Sequence, residues 1–208
     1  FSATTLSFAA ATSAAYGLPA GHWQHTVTQG QAKTVTYYDA LWRAVMTRSF
    51  DATSSATEAA TRKVIVKAYD PEGRITFESN PQRDFASVAI TSPGRRTQYD
   101  ALGRPTRQAI DSELGELVTT TEYLADFQTR ITNPRGKATS QGFWALNDPA
   151  QALLASLALP EGVSVSIERD AFGKPTQISR GGITRRYVYD AGQRLCKTLE
   201  PELIATVQ

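Results

Sequence analysis

Cysteine, histidine and methionine are nearly absent from this 208-residue chain. Cys196 stands alone, so no intramolecular disulfide framework can hold it together. With only His22 and His25 beside it, the composition argues against a zinc cluster as well. Charge of one sign is also missing: 22 basic residues face 20 acidic ones, a formal net charge of +2. Basic pairs such as Arg95-Arg96 and Arg185-Arg186 are offset by acids elsewhere, which argues against a nucleic-acid groove, a polybasic arm or an acidic tail. Long apolar runs are lacking too. Residues 1–15 carry Ser2, Thr4, Thr5, Ser7, Thr12 and Ser13, too polar for a membrane span and without the basic start of a signal peptide. The chain begins with Phe1 and reads as a section of a longer or processed polypeptide.

The chemistry of strands and turns, by contrast, is plentiful: 25 threonines, 8 tyrosines, 14 glycines and 10 prolines. A chain this long can bury roughly 70% of its unfolded surface, so a core needs no covalent staple. The glycines and prolines recur in a pattern. Tyr69-Asp70-Pro71-Glu72-Gly73-Arg74 and Tyr99-Asp100-Ala101-Leu102-Gly103-Arg104 are two full copies of Tyr-Asp-x-x-Gly-Arg. Tyr38-Asp39-Ala40-Leu41-Trp42-Arg43 puts tryptophan in the glycine place. Asn133 with Gly136, and Asp170 with Gly173, keep the turn residues and lose the tyrosine. Tyr189-Asp190-Ala191-Gly192-Gln193-Arg194 has its glycine one place early. The aspartate positions 39, 70, 100, 133, 170 and 190 are spaced by 31, 30, 33, 37 and 20 residues.

Physical chemistry accounts for the motif. Aspartate accepts backbone N–H bonds, proline suits the second position of a type I turn, and glycine takes the left-handed conformation that closes a three-residue hairpin. Asp70 then faces Arg74, Asp100 faces Arg104, and Tyr69 lies across from Ile75. Trp42 and Gln193 are poor occupants of a left-handed position and predict a different turn shape at 39–43 and 190–194. Alternation places Ile65, Tyr69, Ile75 and Phe77 on one face of the second hairpin, and Val64, Val66, Ala68 and Thr76 on the other. Further strands are expected at 34–38, 117–121, 163–167, 184–189 and 194–199. Pro105 and Pro175 should meet an edge or a gap in a ladder. Asn147-Asp148-Pro149 and the stop at Pro160-Glu161-Gly162 bracket a short helix near 149–159, whereas residues 53–62 read as a loop. The fold expected is all-β: consecutive antiparallel hairpins in an open, curved, spiralling sheet. Residues 1–32 are expected to be irregular and residues 33–208 to form the repeat array.

These residues resemble the YD, or Rhs, repeat family, whose consensus is matched best at 69–75 and 99–105, and again at 189–195. The resemblance spans about residues 34–200. It implies a role as one section of a hollow β-shell that, in bacterial toxin members, encloses a C-terminal toxic domain. The implied partners are the rest of the parent polypeptide and that effector domain, and the implied location is outside the cell or on its surface. The self-cleavage string Asp-Pro-x-Gly-Leu of full-length members is not found, so no catalytic residue is carried over. The structural motif residues are Tyr38, Asp39, Arg43, Tyr69, Asp70, Gly73, Arg74, Tyr99, Asp100, Gly103, Arg104, Asn133, Gly136, Asp170, Gly173, Tyr189, Asp190 and Arg194.

Other readings compete with this one. Trp23, Trp42, Trp144 and the repeat tyrosines could stack sugars, which makes a carbohydrate-binding adhesive module the alternative function. His22-Trp23-Gln24-His25 has metal-like spacing without a further ligand, and a surface loop is its default. Cys196 reads as a half-buried structural thiol. No nucleophile–base constellation, metal or cofactor is expected, and unpaired sheet edges could join two copies of the isolated chain.

Overall fold

A computed structural model describes residues 3–91, 93–145 and 153–201. The chain divides into two units, residues 1–118 and 119–208. Among the described residues there are sixteen strands, and their spatial order is their chain order. Every pairing between consecutive strands whose register is defined is antiparallel. The fold is all-β, as the alternating pattern predicts.

The first unit holds β1 (Thr4–Ala10), β2 (Trp23–Gln29), β3 (Ala32–Tyr38), β4 (Ala44–Asp51), α1 (Ser55–Thr61), β5 (Lys63–Tyr69), β6 (Ile75–Ser79), β7 (Gly94–Tyr99), β8 (Pro105–Ser112) and the start of β9 (Gly115–Leu124). Residues 1–32, expected to be irregular, thus contain two strands. Their Thr-rich alternation lacks a Tyr-Asp signature but pairs well enough to extend the sheet. The helix at 55–61 also differs from the expected loop. Ser54 caps it by accepting a bond from the Thr57 N–H, and the Glu58 carboxylate anchors it to Arg48 of β4. No residue of α1 is buried, so it carries no apolar stripe by which to be recognised.

The core of this unit is built on β3, β4 and β5. Val35 and Tyr37, Val45 and Met46, and Val64 and Val66 pack together with Leu18. Val64 and Val66 are fully buried, which stabilises the fold by about 1.5–3 kcal/mol for each side chain. Phe85, Val88 and Ile90, from the connection between β6 and β7, cover the cluster.

Consecutive buried residues at 45 and 46 mark a feature the alternation rule misses. Tyr38 pairs with Ala44 but Tyr37 with Met46, so Val45 is an extra residue in β4. The same slip recurs at Thr76, Thr106, Thr176 and Cys196. Each is a β-bulge two residues past the basic residue of a hairpin tip, and each reverses the faces of the strand residues beyond it. Phe77 therefore pairs with Ala68 and lies on the Val64 and Val66 face, not with Ile65 and Tyr69 as unbroken alternation predicts. Gly94 lets the Phe77 ring close against the sheet: a Cβ there would sit 2.6 Å from the ring and 2.4 Å from the Glu78 carbonyl oxygen.

The second unit completes β9 and adds β10 (Gln128–Thr132), β11 (Ala138–Trp144), β12 (Leu153–Ala158), β13 (Ser164–Arg169), β14 (Pro175–Arg180), β15 (Ile183–Tyr189) and β16 (Leu195–Leu199). The expected helix near 149–159 is corrected to strand β12 over its described part, while residues 149–152 lie outside the described residues. Leu157 pairs with Gln141 and Val165, a ladder requirement that outweighs local helix propensity. Cross-strand pairing sorts this unit into two faces. Ile131, Phe143, Leu154, Leu157, Val165, Ile167 and Ile178 share one face, while Ser156, Ser166, Ser179 and Thr184 form a row on the other. Every fully buried apolar side chain among the described residues lies in the first unit, so the apolar face of the second remains half-exposed.

Candidate functional site

Five hairpin tips, at 39, 70, 100, 170 and 190, are built on an aspartate. In the second, the Asp70 N–H donates to the Arg74 carbonyl at 3.0 Å and the Gly73 N–H to the Asp70 carbonyl at 3.1 Å. Oδ1 of Asp70 accepts from the Arg74 N–H at 2.8 Å and Oδ2 from Arg74 Nε at 2.6 Å. Gly73 sits at φ +84°, in the left-handed region that closes the turn. The corresponding Nε–Oδ2 distances are 2.7 Å for Arg43–Asp39, 2.8 Å for Arg104–Asp100 and 3.0 Å for Arg194–Asp190. Asn133 and Asp170 keep the backbone part, each accepting two N–H bonds through Oδ1.

These bonds tune the carboxyls. Desolvation pushes Asp39 and Asp70 up, but the hydrogen bonds from Arg43 and Arg74 outweigh it and hold both below the usual carboxylate range. For Asp100 and Asp190 the backbone N–H of Arg104 and of Arg194 is the largest cause of the same lowering.

Two tips expected to differ do not. Trp42 at φ 62° and Gln193 at φ 63° occupy the left-handed position, and their N–H groups donate to Asp39 and Asp190 as Gly73 does to Asp70. The hydrogen bonds around the aspartate outweigh a left-handed cost of about 1–2 kcal/mol. A further tip has no aspartate: the Leu159 N–H donates to Val163 and the Gly162 N–H to Leu159, with Gly162 at φ 80°. Its signal is Pro160-Glu161-Gly162, the same tripeptide as Pro71-Glu72-Gly73, which reads as a helix stop only when the repeat is ignored.

The tips are also joined to one another. In the first unit, Arg43 Nη1 donates to the Asp70 carbonyl at 3.0 Å and Arg74 Nη1 to the Asp100 carbonyl at 3.2 Å. The same guanidinium groups lie over the next hairpin's tyrosine, Arg43 at 5.1 Å from the Tyr69 ring centre and Arg74 at 4.8 Å from that of Tyr99. The tyrosine returns a bond, its hydroxyl donating to the carbonyl of the residue after the arginine: Tyr69 to Ala44 and Tyr99 to Ile75, both at 2.9 Å. In the second unit Lys174 replaces arginine, 5.2 Å from the Tyr189 ring, and the Tyr189 hydroxyl donates to Pro175 at 3.0 Å. Arg169, in a tyrosine place, reaches the Leu154 and Gly173 carbonyls instead. The structure thus brings 39, 70 and 100 together along one edge of the first unit. In the second it joins 170 to 190, but strand order puts the Asn133 and Gly136 tip at the opposite edge. The backbone acceptors at 44, 75 and 175 carry no side-chain signal and could not be read from sequence.

The remaining candidates resolve individually. His22 is buried, not on a surface loop: Nδ1 is 2.8 Å from the Pro19 carbonyl and Nε2 is 2.9 Å from Gln24 Nε2, so both ring nitrogens are occupied. His25 lies in β2. Among the described residues no three His, Cys, Asp or Glu side chains gather as a metal site, and no helix is long and apolar enough to cross a membrane. Cys196 is exposed rather than half-buried, because it lies in β16, the last strand in the order and paired only with β15, and its Sγ reaches the Val188 carbonyl at 3.3 Å. The largest aromatic gathering is Phe8, Trp23 and Trp42, with ring centres 4.9, 5.4 and 5.7 Å apart and planes within 27° of parallel. Trp23, Trp42 and Tyr38 line a cleft of about 340 Å³ with Leu18, His22 and Asp39.

No family model matches the chain, and no curated protein matches it either. Solved structures of toxin complexes are similar to it. One is a crystal structure of TcdB2-TccC3 without its hypervariable C-terminal region, at 14% identity and a TM-score of 0.47 over 90% of this chain. Another is the Photorhabdus luminescens Tc holotoxin pore with a mutated TccC3, at 12% identity and a TM-score of 0.22 over 88% of this chain. A third, TcdB2-TccC3-TEV, has 11% identity and a TM-score of 0.23 over 87%. This chain spans 10% of the first of those chains and 16% of each of the other two.

Proposed function

We propose that the chain is a non-catalytic wall section of a YD/Rhs-repeat shell, which encloses or presents a C-terminal effector domain within a larger exported bacterial protein. The observation that carries this reading is the link between hairpins. Each Asp-bearing tip of the first unit is tied to the next by an arginine lying on a tyrosine and by a tyrosine hydroxyl on a backbone carbonyl. Such nearest-neighbour links let a sheet grow hairpin by hairpin without a second layer, as in other repeat architectures. The half-exposed apolar face of the second unit supports a wall that is covered only when something lies against it.

The test is electron microscopy and proteolysis of the polypeptide encoded by the whole reading frame. A hollow sheet-walled particle is expected, with its C-terminal segment resistant to a protease that cuts the same segment expressed alone. Solid particles, or equal cleavage in both settings, overturn the reading. Turnover on ester, glycoside or phosphate substrates by this chain overturns its non-catalytic part.

The alternative, carbohydrate binding, is favoured by a separate observation, the exposed Phe8 and Trp42 stacked with the half-buried Trp23, and is compatible with a wall section.

A further inference from the structure

The hydrogen bonds of its tip hold Trp42 in the left-handed region, but they do not account for a tryptophan side chain there. At φ 62° Trp42 occupies a place that glycine fills at 73, 103, 136, 162 and 173, yet the residue is 56% exposed and lies outside the core cluster. Strained positions of this kind collect at ligand sites. Trp42 stacks with Phe8 of β1 and Trp23 of β2, so an apolar aromatic surface is assembled from three separate stretches of chain.

Tyr38 is the second outlier. The hydroxyls of Tyr69, Tyr99 and Tyr189 are all engaged on a neighbouring hairpin's carbonyl. That of Tyr38 has no hydrogen-bond partner among the described residues, and its ring meets the edge of Phe8 at 6.1 Å. It lines the same cleft as Trp23 and Trp42, beside the Asp39 carboxylate.

We infer that this cleft binds a neutral pyranose sugar, its C–H face stacked on Trp42 and its hydroxyls on Tyr38 and Asp39. The inference rests on the carbohydrate reading and gives it an address. The lining selects the ligand class. Among the described residues no lysine or arginine lines the cleft, which disfavours phosphates and other anions. Asp39 is neutralised by Arg43 and the rings stack on one another instead of boxing a void, which disfavours a quaternary ammonium. A proline-rich peptide offers only carbonyl acceptors to the hydroxyl and carboxylate, whereas sugar hydroxyls can both donate and accept. The volume lies within the ordinary range for small-molecule sites, roughly 300–1,000 Å³.

The experiment is tryptophan-fluorescence titration and calorimetry with cellotetraose, N-acetylchitotetraose, galactotetraose and a proline decapeptide. Saturable binding of at least one oligosaccharide is expected. Trp42→Gly restores the commonest residue of the turn, so it should fold normally, melting within about 4 °C of the parent chain, while binding at least tenfold more weakly. Tyr38→Phe should weaken binding several-fold. Binding unaffected by Trp42→Gly and Tyr38→Phe but lost in Trp144→Ala overturns this site and leaves the carbohydrate reading standing. No saturable binding of any oligosaccharide overturns both, and saturation by the decapeptide alone overturns the ligand class.

Discussion

The Arg74 guanidinium lies 4.8 Å from the centre of the Tyr99 ring, and the Tyr99 hydroxyl donates to the carbonyl of Ile75, the residue after Arg74. Arginine and tyrosine therefore belong to different hairpins yet form one reciprocal link. Tyr99→Phe keeps the ring and removes the hydroxyl, so it should cost about 0.5–1.5 kcal/mol. Arg74→Ala should cost more, since it removes the ring contact, the Asp70 pair and the Asp100 carbonyl bond together. A double-mutant cycle in urea unfolding should show the two changes to be non-additive; strict additivity would refute the link.

Acid should weaken the tips. The folded-state values of Asp39, Asp70, Asp100 and Asp190 all lie below the ordinary carboxylate value. As pH falls, the unfolded chain takes up protons first, so these groups favour the folded state above their unfolded value near about 3.9. That contribution declines as pH falls through the lower folded-state values. Urea midpoints measured from pH 7 to pH 2 should fall mainly below about pH 4. Asp70→Asn should flatten the profile while keeping the turn, since Asn133 forms the same backbone bonds. An unchanged slope in that variant would count against the assignment.

Glycines in two settings should fail for different reasons. At Gly73 nothing lies within 4 Å of the place an added Cβ would take, so Gly73→Ala suffers only its positive φ and should lose about 1–2 kcal/mol. At Gly94 the added atom meets the Phe77 ring and the Glu78 carbonyl, so Gly94→Ala should lose about 1–3 kcal/mol through overpacking. Gln193→Gly should do the reverse and raise the melting temperature, because it relieves φ 63°. Calorimetry of the three variants separates these effects.

The two units should differ in response to truncation. Met46→Ala opens the fully buried core and should cost about 2–5 kcal/mol. Leu157→Ala, on the half-exposed face of the second unit, should cost less. Hydrogen exchange should be slowest at the amides of β3, β4 and β5.

Much of the fold was legible in short stretches. Asp70, Gly73 and Arg74 act within five residues of one another, so their turn could be read directly, and the strands at 34–38 and 184–189 come from alternation between such turns. The failures have longer-range causes. Leu153, Leu154 and Leu157 have helical spacing, but β11 and β13 offer them ladders on either side. Phe77 changes face because a bulge at Thr76 intervenes, and threonine in a strand does not announce a bulge. Trp42 and Gln193 adopt the turn against their own preference because an aspartate three residues earlier accepts their N–H.

Residue chemistry alone settled where the chain turns and that it is a succession of hairpins, because those choices depend on φ limits and on side chains a few positions apart. Which carbonyl each tyrosine reaches was decided only when strands more than twenty residues apart came into register. So was the fate of Tyr38, whose neighbours in space are Phe8 and the cleft around Trp42, with no carbonyl among the described residues to receive its hydroxyl. Identical Tyr-Asp pairs thus serve as links at 69 and 99 and as part of a cleft at 38, and only their neighbours in the sheet distinguish them.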